Sequence, residues 1–141
     1  MTHDVKVVDP AHVLIIWDKV RPFLEAAIDL GEGPADYNIH HVQAYVTSGQ
    51  WLLLVAVGAG GEICGAMTVS FINYPLNRVA FVTAVGGSGI VCADGFAQVR
   101  AVLQQHGATK IQCYARPAVQ RLYRRQKLGF AVGSNLLEVQ I

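Results

Sequence analysis

Apolar residues recur along the chain with two different spacings, which separate predicted helices from predicted strands. In helical stretches they return every three or four residues, as Val13, Ile16, Trp17 and Val20 do, which makes one buried face. Elsewhere apolar residues run together without strict alternation, as in Trp51–Val57, which is typical of a strand covered on both faces. These spacings predict a central sheet with helices on each side.

The predicted elements follow in the order β-α-α-β-β-β-α-β-α-β. Glycine and proline residues mark their boundaries, because glycine favours helix ends and proline favours helix starts. We therefore expect an α/β (α+β) fold with a mixed, mostly antiparallel sheet, in one domain over residues 1–141. The predicted strands are Val5–Val8, Trp51–Val57, Ile63–Tyr74, Val79–Val85, Ile111–Tyr114 and Leu136–Ile141; the predicted helices are Ala11–Leu30, Asn38–Ser48, Ile90–His106 and a last helix from Pro117 that ends before Gly129.

Length and composition narrow the functional classes. A chain of 141 residues can bury a core without disulfides or metals. Charged residues make up 15% and the net charge is +1, so no basic field attracts nucleic acid, and we expect no nucleic-acid partner. The mean hydropathy of +0.35 is high for a small soluble monomer, which predicts apolar surface buried in a homo-oligomer or against other proteins.

The cysteines and histidines show no metal-binding pattern. Cys64, Cys92 and Cys113 lack a CxxC spacing and are interpreted as reduced core residues. His40 and His41 are adjacent in a predicted helix, so their side chains diverge by about 100° and do not share one site. The sequence shows neither a signal-peptide pattern nor an apolar run long enough to span a membrane. We therefore expect a cytoplasmic protein without metal or membrane association.

A glycine-rich turn carries the sharpest functional signal in the sequence. Gly86, Gly87, Ser88 and Gly89 separate the predicted strand Val79–Val85 from the next predicted helix. The backbone N–H groups at the start of a helix are unpaired and bind anionic phosphate groups. An alternative is that four small residues simply make a tight connection between strand and helix.

With this turn after the fourth predicted strand, the chain resembles the GNAT superfamily of acyl-CoA-dependent N-acyltransferases. The resemblance covers nearly the whole chain by element order and rests mainly on residues 79–130. More narrowly, the chain resembles short GNAT-like proteins encoded by tailed bacteriophages, through Gly86-Gly87, His106-Gly107 and Arg116-Pro117. The resemblance implies a GNAT-like fold, with acetyl-CoA held between the fourth and fifth strands.

The family's loop pattern implies which residues hold the pyrophosphate of acetyl-CoA. In that pattern an Arg or Gln is followed by two residues, Gly, one residue, and Gly or Ala. Gly87 and Gly89 fall on the glycine positions, whereas Ala84 replaces the Arg or Gln. The implied cofactor-binding residues are Val85, Gly86, Gly87, Ser88 and Gly89.

The resemblance also implies one catalytic residue, Tyr123, in the last predicted helix. In the family a tyrosine there protonates the departing thiolate of coenzyme A, which is general-acid catalysis. The alternative is a core tyrosine on the inward face of that helix, together with Val119, Leu122 and Leu128. No ionisable residue occurs in the strand 79–85, so a general base is not identified; Tyr74, Asp36 and Glu32 are candidates from elsewhere in the chain.

Two functions therefore follow from the sequence. The first is transfer of an acetyl group from acetyl-CoA to an unknown amine in the host cytoplasm. The alternative is a non-catalytic GNAT-fold structural or assembly component of a bacteriophage virion, with other phage proteins as partners. Ala84, the missing base and the apolar composition motivate this alternative.

Overall fold

The computed structural model describes residues 3–30, 36–133 and 136–141. Among these residues, no helix has both the length and the apolar character needed to cross a bilayer. The strands are β1 (Asp4–Val8), β2 (Leu52–Val57), β3 (Ile63–Asn73), β4 (Arg78–Gly87) and β5 (Lys110–Gln112); the helices are α1 (Val13–Asp29), α2 (Ile39–Ser48), α3 (Ala93–Gln105) and α4 (Pro117–Arg125).

The five strands form one sheet in the order β1-β2-β3-β4-β5. Neighbouring strands are antiparallel from β1 to β4, and β5 is parallel to β4. This confirms the expected α+β fold with a mixed, mostly antiparallel sheet. The parallel pair follows from the crossover through α3, because a helix between two strands returns the chain to the same end of the sheet.

Two boundaries near the glycine turn differ from the prediction. β4 continues through Gly87 instead of ending at Val85, and α3 begins at Ala93 instead of Ile90. The reason is the neighbouring strand β3, because Gly86 and Gly87 are in register with Ala66 and Gly65 there. Tertiary pairing thus converts half of the predicted turn into strand.

The last part of the chain also differs from the prediction. The segment Leu136–Ile141, expected to be a closing strand, forms neither helix nor strand. Alternating apolar residues become a strand only when a neighbouring backbone supplies hydrogen bonds, and the described residues supply none there. α4 ends at Arg125, and Leu122, expected to face inward, is exposed.

Apolar side chains cover both faces of the sheet, which explains the continuous apolar strands. In β2, Leu53 and Val55 pack with one cluster of buried residues, and Leu54 and Ala56 pack with the other. The first cluster lies under α1 and α2 and includes Trp17, Val20, Leu24, Val42 and Val46. The second lies under α3 and includes Met67, Val69, Phe96, Val99 and Leu103.

The two adjacent histidines, His40 and His41, take part in the hydrogen bonds that begin α2. The side chain of Asn38 accepts hydrogen bonds from the amides of His40 and His41, at 2.9 and 3.2 Å. In return, Nδ1 of His41 accepts a hydrogen bond from the Asn38 amide at 3.0 Å. This reciprocal capping pairs backbone donors that the first helical turn leaves free. His41 therefore has a structural role at the helix start.

Helix α1 crosses β4 at the two glycines that end the strand. A Cβ atom at Gly86 would overlap the backbone carbonyl of Phe23, and one at Gly87 would overlap the Phe23 ring and the backbone of β3. Gly87 also has a positive φ of 80°, a backbone conformation that is unfavourable for residues other than glycine. The glycines therefore allow α1 to approach the end of β4 at backbone distance.

We predict that Gly86→Ala lowers the free energy of unfolding by about 1–3 kcal/mol, as is typical when an atom is forced into a packed core. The Phe23 carbonyl is backbone and cannot rotate away from the new methyl group. Gly133→Ala is the control, because a Cβ atom there meets no atom of the described residues within 4 Å. Urea unfolding of both variants measures the difference; equal stability would contradict this account of the α1–β4 contact.

Candidate functional site

The candidate site is the gap between β4 and β5. The two strands pair only where Val79–Phe81 lies beside Lys110–Gln112. Beyond this point β4 continues to Gly87, whereas β5 ends. Residues 82–87 of β4 therefore have β3 on one side and no strand on the other among the described residues. We refer to this free edge of residues 82–87 as the β4 edge.

A β-bulge lies at the point where the two strands separate. Thr68 of β3 is opposite Ala84, and its neighbour Val69 is opposite Val82, so Thr83 is an extra residue. The hydroxyls of Thr68 and Thr83 are hydrogen-bonded at 2.7 Å. Bulges bend the strand that contains them and redirect its backbone groups. The bend occurs immediately after the last residue of β4 that pairs with β5.

Tyr37, which the sequence analysis did not identify, contacts the bulge. Its hydroxyl donates a hydrogen bond to the backbone carbonyl of Thr83. Its ring meets Trp51 edge-to-face, with 5.2 Å between ring centres. Burial raises the pKa of Tyr37, and the neighbouring Asp36 and Tyr114 raise it further. The phenol thus stays protonated at neutral pH and remains a hydrogen-bond donor.

The backbone amides at the end of β4 point alternately to β3 and to the gap. The Ser88 amide donates to the carbonyl of Cys64 at 2.9 Å, and Gly86 lies opposite Ala66 in the same register. Because antiparallel ladders alternate in this way, the amides of Val85 and Gly87 point toward the gap. Of the five predicted cofactor-binding residues, Gly86 and Ser88 therefore direct their amides into the sheet.

The connection between β4 and α3 supplies further free amides. Gly89, Ile90, Val91 and Cys92 donate no backbone hydrogen bond to any described residue. Gly89 has a positive φ of 87°, which brings its carbonyl against α3. This group of amides, together with the first turn of α3, has the character of an anion-binding helix start.

The N-terminal segment packs on this connection, which the sequence analysis also missed. The side chain of Gln98 in α3 accepts a hydrogen bond from the Val5 amide at 2.9 Å and donates to the His3 carbonyl at 2.7 Å. The His3 ring lies so close to Gly89 that a Cβ atom on Gly89 would overlap it. Gln98 lies outside the glycine-rich turn, and nothing in the sequence pattern marks it for this role.

Two residues near the connection between β4 and α3 do not favour anion binding there. Ala84, at the family's Arg or Gln position, is buried in the cluster under α1 and α2, so its side chain points away from the loop. Asp94 lies in the first turn of α3, where its negative charge interacts with the helix dipole. Its carboxylate accepts a hydrogen bond from Gln98 at 3.2 Å.

Tyr123, the predicted catalytic residue, lies in α4 beside the residue that follows β5. Its ring packs against Phe130 with 5.2 Å between ring centres, and Cys113 is part of the same cluster. Burial raises the pKa of Tyr123 to about 12, with a smaller contribution from Cys113. The ring is thus partly buried against the core, and both its acid role and the core alternative remain predictions.

Of the other acid–base candidates, Tyr74 is not brought to this gap. Tyr74 is at the turn between β3 and β4, which is the opposite end of the sheet from Gly87. Asp36 is exposed beside Tyr37, and Glu32 lies outside the described residues. Within the described residues, no three His, Cys, Asp or Glu side chains form a group that could hold a metal ion.

No family model matches the chain, and no curated protein matches it.

Comparison of structures finds acetyltransferases of nearly the same length. An aminoglycoside 6′-N-acetyltransferase from Acinetobacter baumannii is 18% identical, with a TM-score of 0.62 over 99% of this chain and 97% of that one. A predicted acetyltransferase from Clostridium acetobutylicum, solved with acetyl-CoA, is 15% identical, with a TM-score of 0.60 over 99% and 96%.

A third similar structure is an aminoglycoside acetyltransferase from an uncultured soil metagenomic sample, in complex with sisomicin. It is 11% identical, with a TM-score of 0.66 over 99% of this chain and 95% of that one. At such identities a likeness establishes the fold and leaves the activity open. The chain has the fold of the GNAT acetyltransferases.

Proposed function

We propose that this protein is an acyl-CoA-dependent N-acyltransferase that transfers an acetyl group to an amine. The observation that carries the proposal is the free β4 edge, where the strand leaves β5 at the Thr83 bulge and turns two amides toward the gap. Structural packing alone does not require a sheet to open between adjacent strands. Similar solved acetyltransferases, one of them holding acetyl-CoA, support the same reading.

The backbone of this region fits a pyrophosphate group in part. The amides of Val85 and Gly87 at the β4 edge, and of Gly89, Val91 and Cys92 in the connection, have no backbone partner among the described residues, whereas Ile90 is buried and its amide is not accessible. Ser88 is exposed, so its hydroxyl can donate although its amide is paired. Ala84 and Asp94 act against tight binding, because one removes a polar side chain and the other adds a negative charge.

Acetyl-CoA, when bound, supplies the acetyl thioester. The chain's own residues would then hold the pyrophosphate through these amides and supply a proton to the leaving sulfur from the Tyr123 hydroxyl. A new C–N bond replaces the C–S bond, and the attacking amine gives up a proton. Because no ionisable side chain lies on β4 at residues 79–87, that proton passes to water.

Ser88→Asp is predicted to weaken acetyl-CoA binding about fivefold or more. The added carboxylate would repel the negatively charged pyrophosphate, and two like charges about 4 Å apart cost about 1 kcal/mol in water. Gln50→Glu is the matched control; it adds the same charge at an exposed residue shortly before β2, away from Ser88, because β2 begins level with Val82 in the middle of β4. Isothermal titration calorimetry measures both affinities. Wild-type protein that gives no heat at millimolar acetyl-CoA would contradict the proposal and favour a non-catalytic role, such as a structural component of a phage particle.

Tyr123→Phe is predicted to lower kcat by about 10²-fold or more, as expected for loss of a general acid, with KM for acetyl-CoA little changed. Because the pKa of Tyr123 is raised to about 12, its hydroxyl stays protonated as the pH rises to 10. The wild-type rate should therefore show no loss from this group up to that pH. Free-thiol release from acetyl-CoA with a panel of polyamines, amino acids and aminoglycosides provides the assay.

Tyr74→Phe is the matched control for this variant, because Tyr74 is exposed and distant from the gap. Equal rates for the two variants, with measurable wild-type activity, would assign Tyr123 to the core alone.

A further inference from the structure

A cavity with a volume of about 310 Å³ lies between α3, the start of β5 and the segment that follows α4. It shares no lining residue with the β4 edge or with the connection between β4 and α3. The cavity is therefore separate from the candidate functional site. Its lining includes Phe96, Arg100 and Leu103 of α3, Lys110 of β5, and Leu128 and Phe130 after α4.

One wall of the cavity is apolar. Phe96, Leu103 and Leu128 are buried in the cluster under α3. Phe130 extends this wall, because its ring packs on Phe96 with 5.3 Å between ring centres. Such a surface favours a hydrocarbon chain or an aromatic ring, since apolar groups that leave water for apolar surroundings gain free energy.

Two basic side chains, Arg100 and Lys110, line the same cavity. Arg100 donates a hydrogen bond to the Leu128 carbonyl at 3.2 Å, which uses one of the five N–H donors of its guanidinium group. The Lys110 ammonium group has no hydrogen-bond or ion-pair partner among the described residues. The cavity lining contains no carboxylate. Two cations therefore meet at this cavity without a counter-charge from its walls.

The stretch of chain that forms the cavity is strongly basic. No Asp or Glu occurs between Asp94 and Glu138, and every lining residue of the cavity lies in this interval. The whole chain has a net charge of only +1, so the positive charge is concentrated on this part of the molecule. A region of one sign attracts ligands of the opposite sign. The basic residues in the interval are Arg100, Lys110, Arg116, Arg121, Arg124, Arg125 and Lys127.

We propose that this cavity binds a small amphipathic carboxylate. The carboxylate group lies between Arg100 and Lys110, and the hydrocarbon part packs against Phe96, Leu103 and Phe130. An uncharged ligand would make no use of the two cations, and an inorganic anion would leave the apolar wall in water. A volume of about 310 Å³ is at the lower end of the range for small-molecule sites, which favours a ligand of about ten non-hydrogen atoms. This binding is independent of acyl transfer.

Titration of isotope-labelled protein with octanoate, followed through the amide chemical shifts, tests the site. Saturable shifts are expected at Leu103, Ile111 and Phe130. Octanol is the matched uncharged ligand, and it should bind about fivefold more weakly, because it makes no charge-assisted hydrogen bonds. Three results would each overturn the proposal: no saturable shift at millimolar octanoate, equal binding of octanoate and octanol, or shifts confined to Val85 and Gly87 at the β4 edge.

Lys110→Gln is expected to weaken octanoate binding about fivefold and to leave octanol binding unchanged, because only the charged ligand uses the ammonium group. Lys6→Gln is the matched control. It removes the same charge from an exposed residue of β1, the strand at the other edge of the sheet, and should bind octanoate as the wild type does. Equal octanoate affinity in the two variants would overturn the assignment. The comparison of octanoate with octanol on the wild type decides the proposal if thermal melting shows that Lys110→Gln is unfolded.

Discussion

One extra residue in β4 sets the geometry of the candidate site. Thr83 has no partner in β3, and its hydroxyl is satisfied by the buried Thr68 while its carbonyl is satisfied by Tyr37. Both polar groups would be costly if they were buried without partners. These contacts hold the bulge in place, and the bulge lies where β4 parts from β5.

The bulge also links the two halves of the molecule. Tyr37 belongs to the segment before α2 and packs on Trp51 before β2, so its hydrogen bond ties the α1–α2 side of the sheet to the β4 edge. On the same side, α1 approaches the strand end through Gly86 and Gly87. The end of β4 is thus fixed on one face by backbone contact and at its edge by one side-chain hydroxyl.

The glycine-rich stretch has two separate physical uses. Gly86 and Gly87 belong to the ladder with β3 and make room for α1, whereas Gly89 belongs to the connection whose amides are free. The two interpretations of this stretch therefore apply to different residues: Gly86 and Gly87 make a tight connection, and Gly89 belongs to the candidate anion site. Anion binding through backbone amides needs no charged side chain, which is compatible with the low charge of the chain.

The sequence by itself determined the element types, their order up to α4 and the two-sided core, because periodicity reports which faces of a helix or strand are buried. It also pointed to residues 85–89. Only the tertiary structure decided that β4 continues to Gly87, that Tyr37 reaches Thr83, and that Leu136–Ile141 has no strand partner among the described residues. These features depend on contacts between residues far apart in the chain, and local spacing carries no information about which backbone will lie beside a given segment.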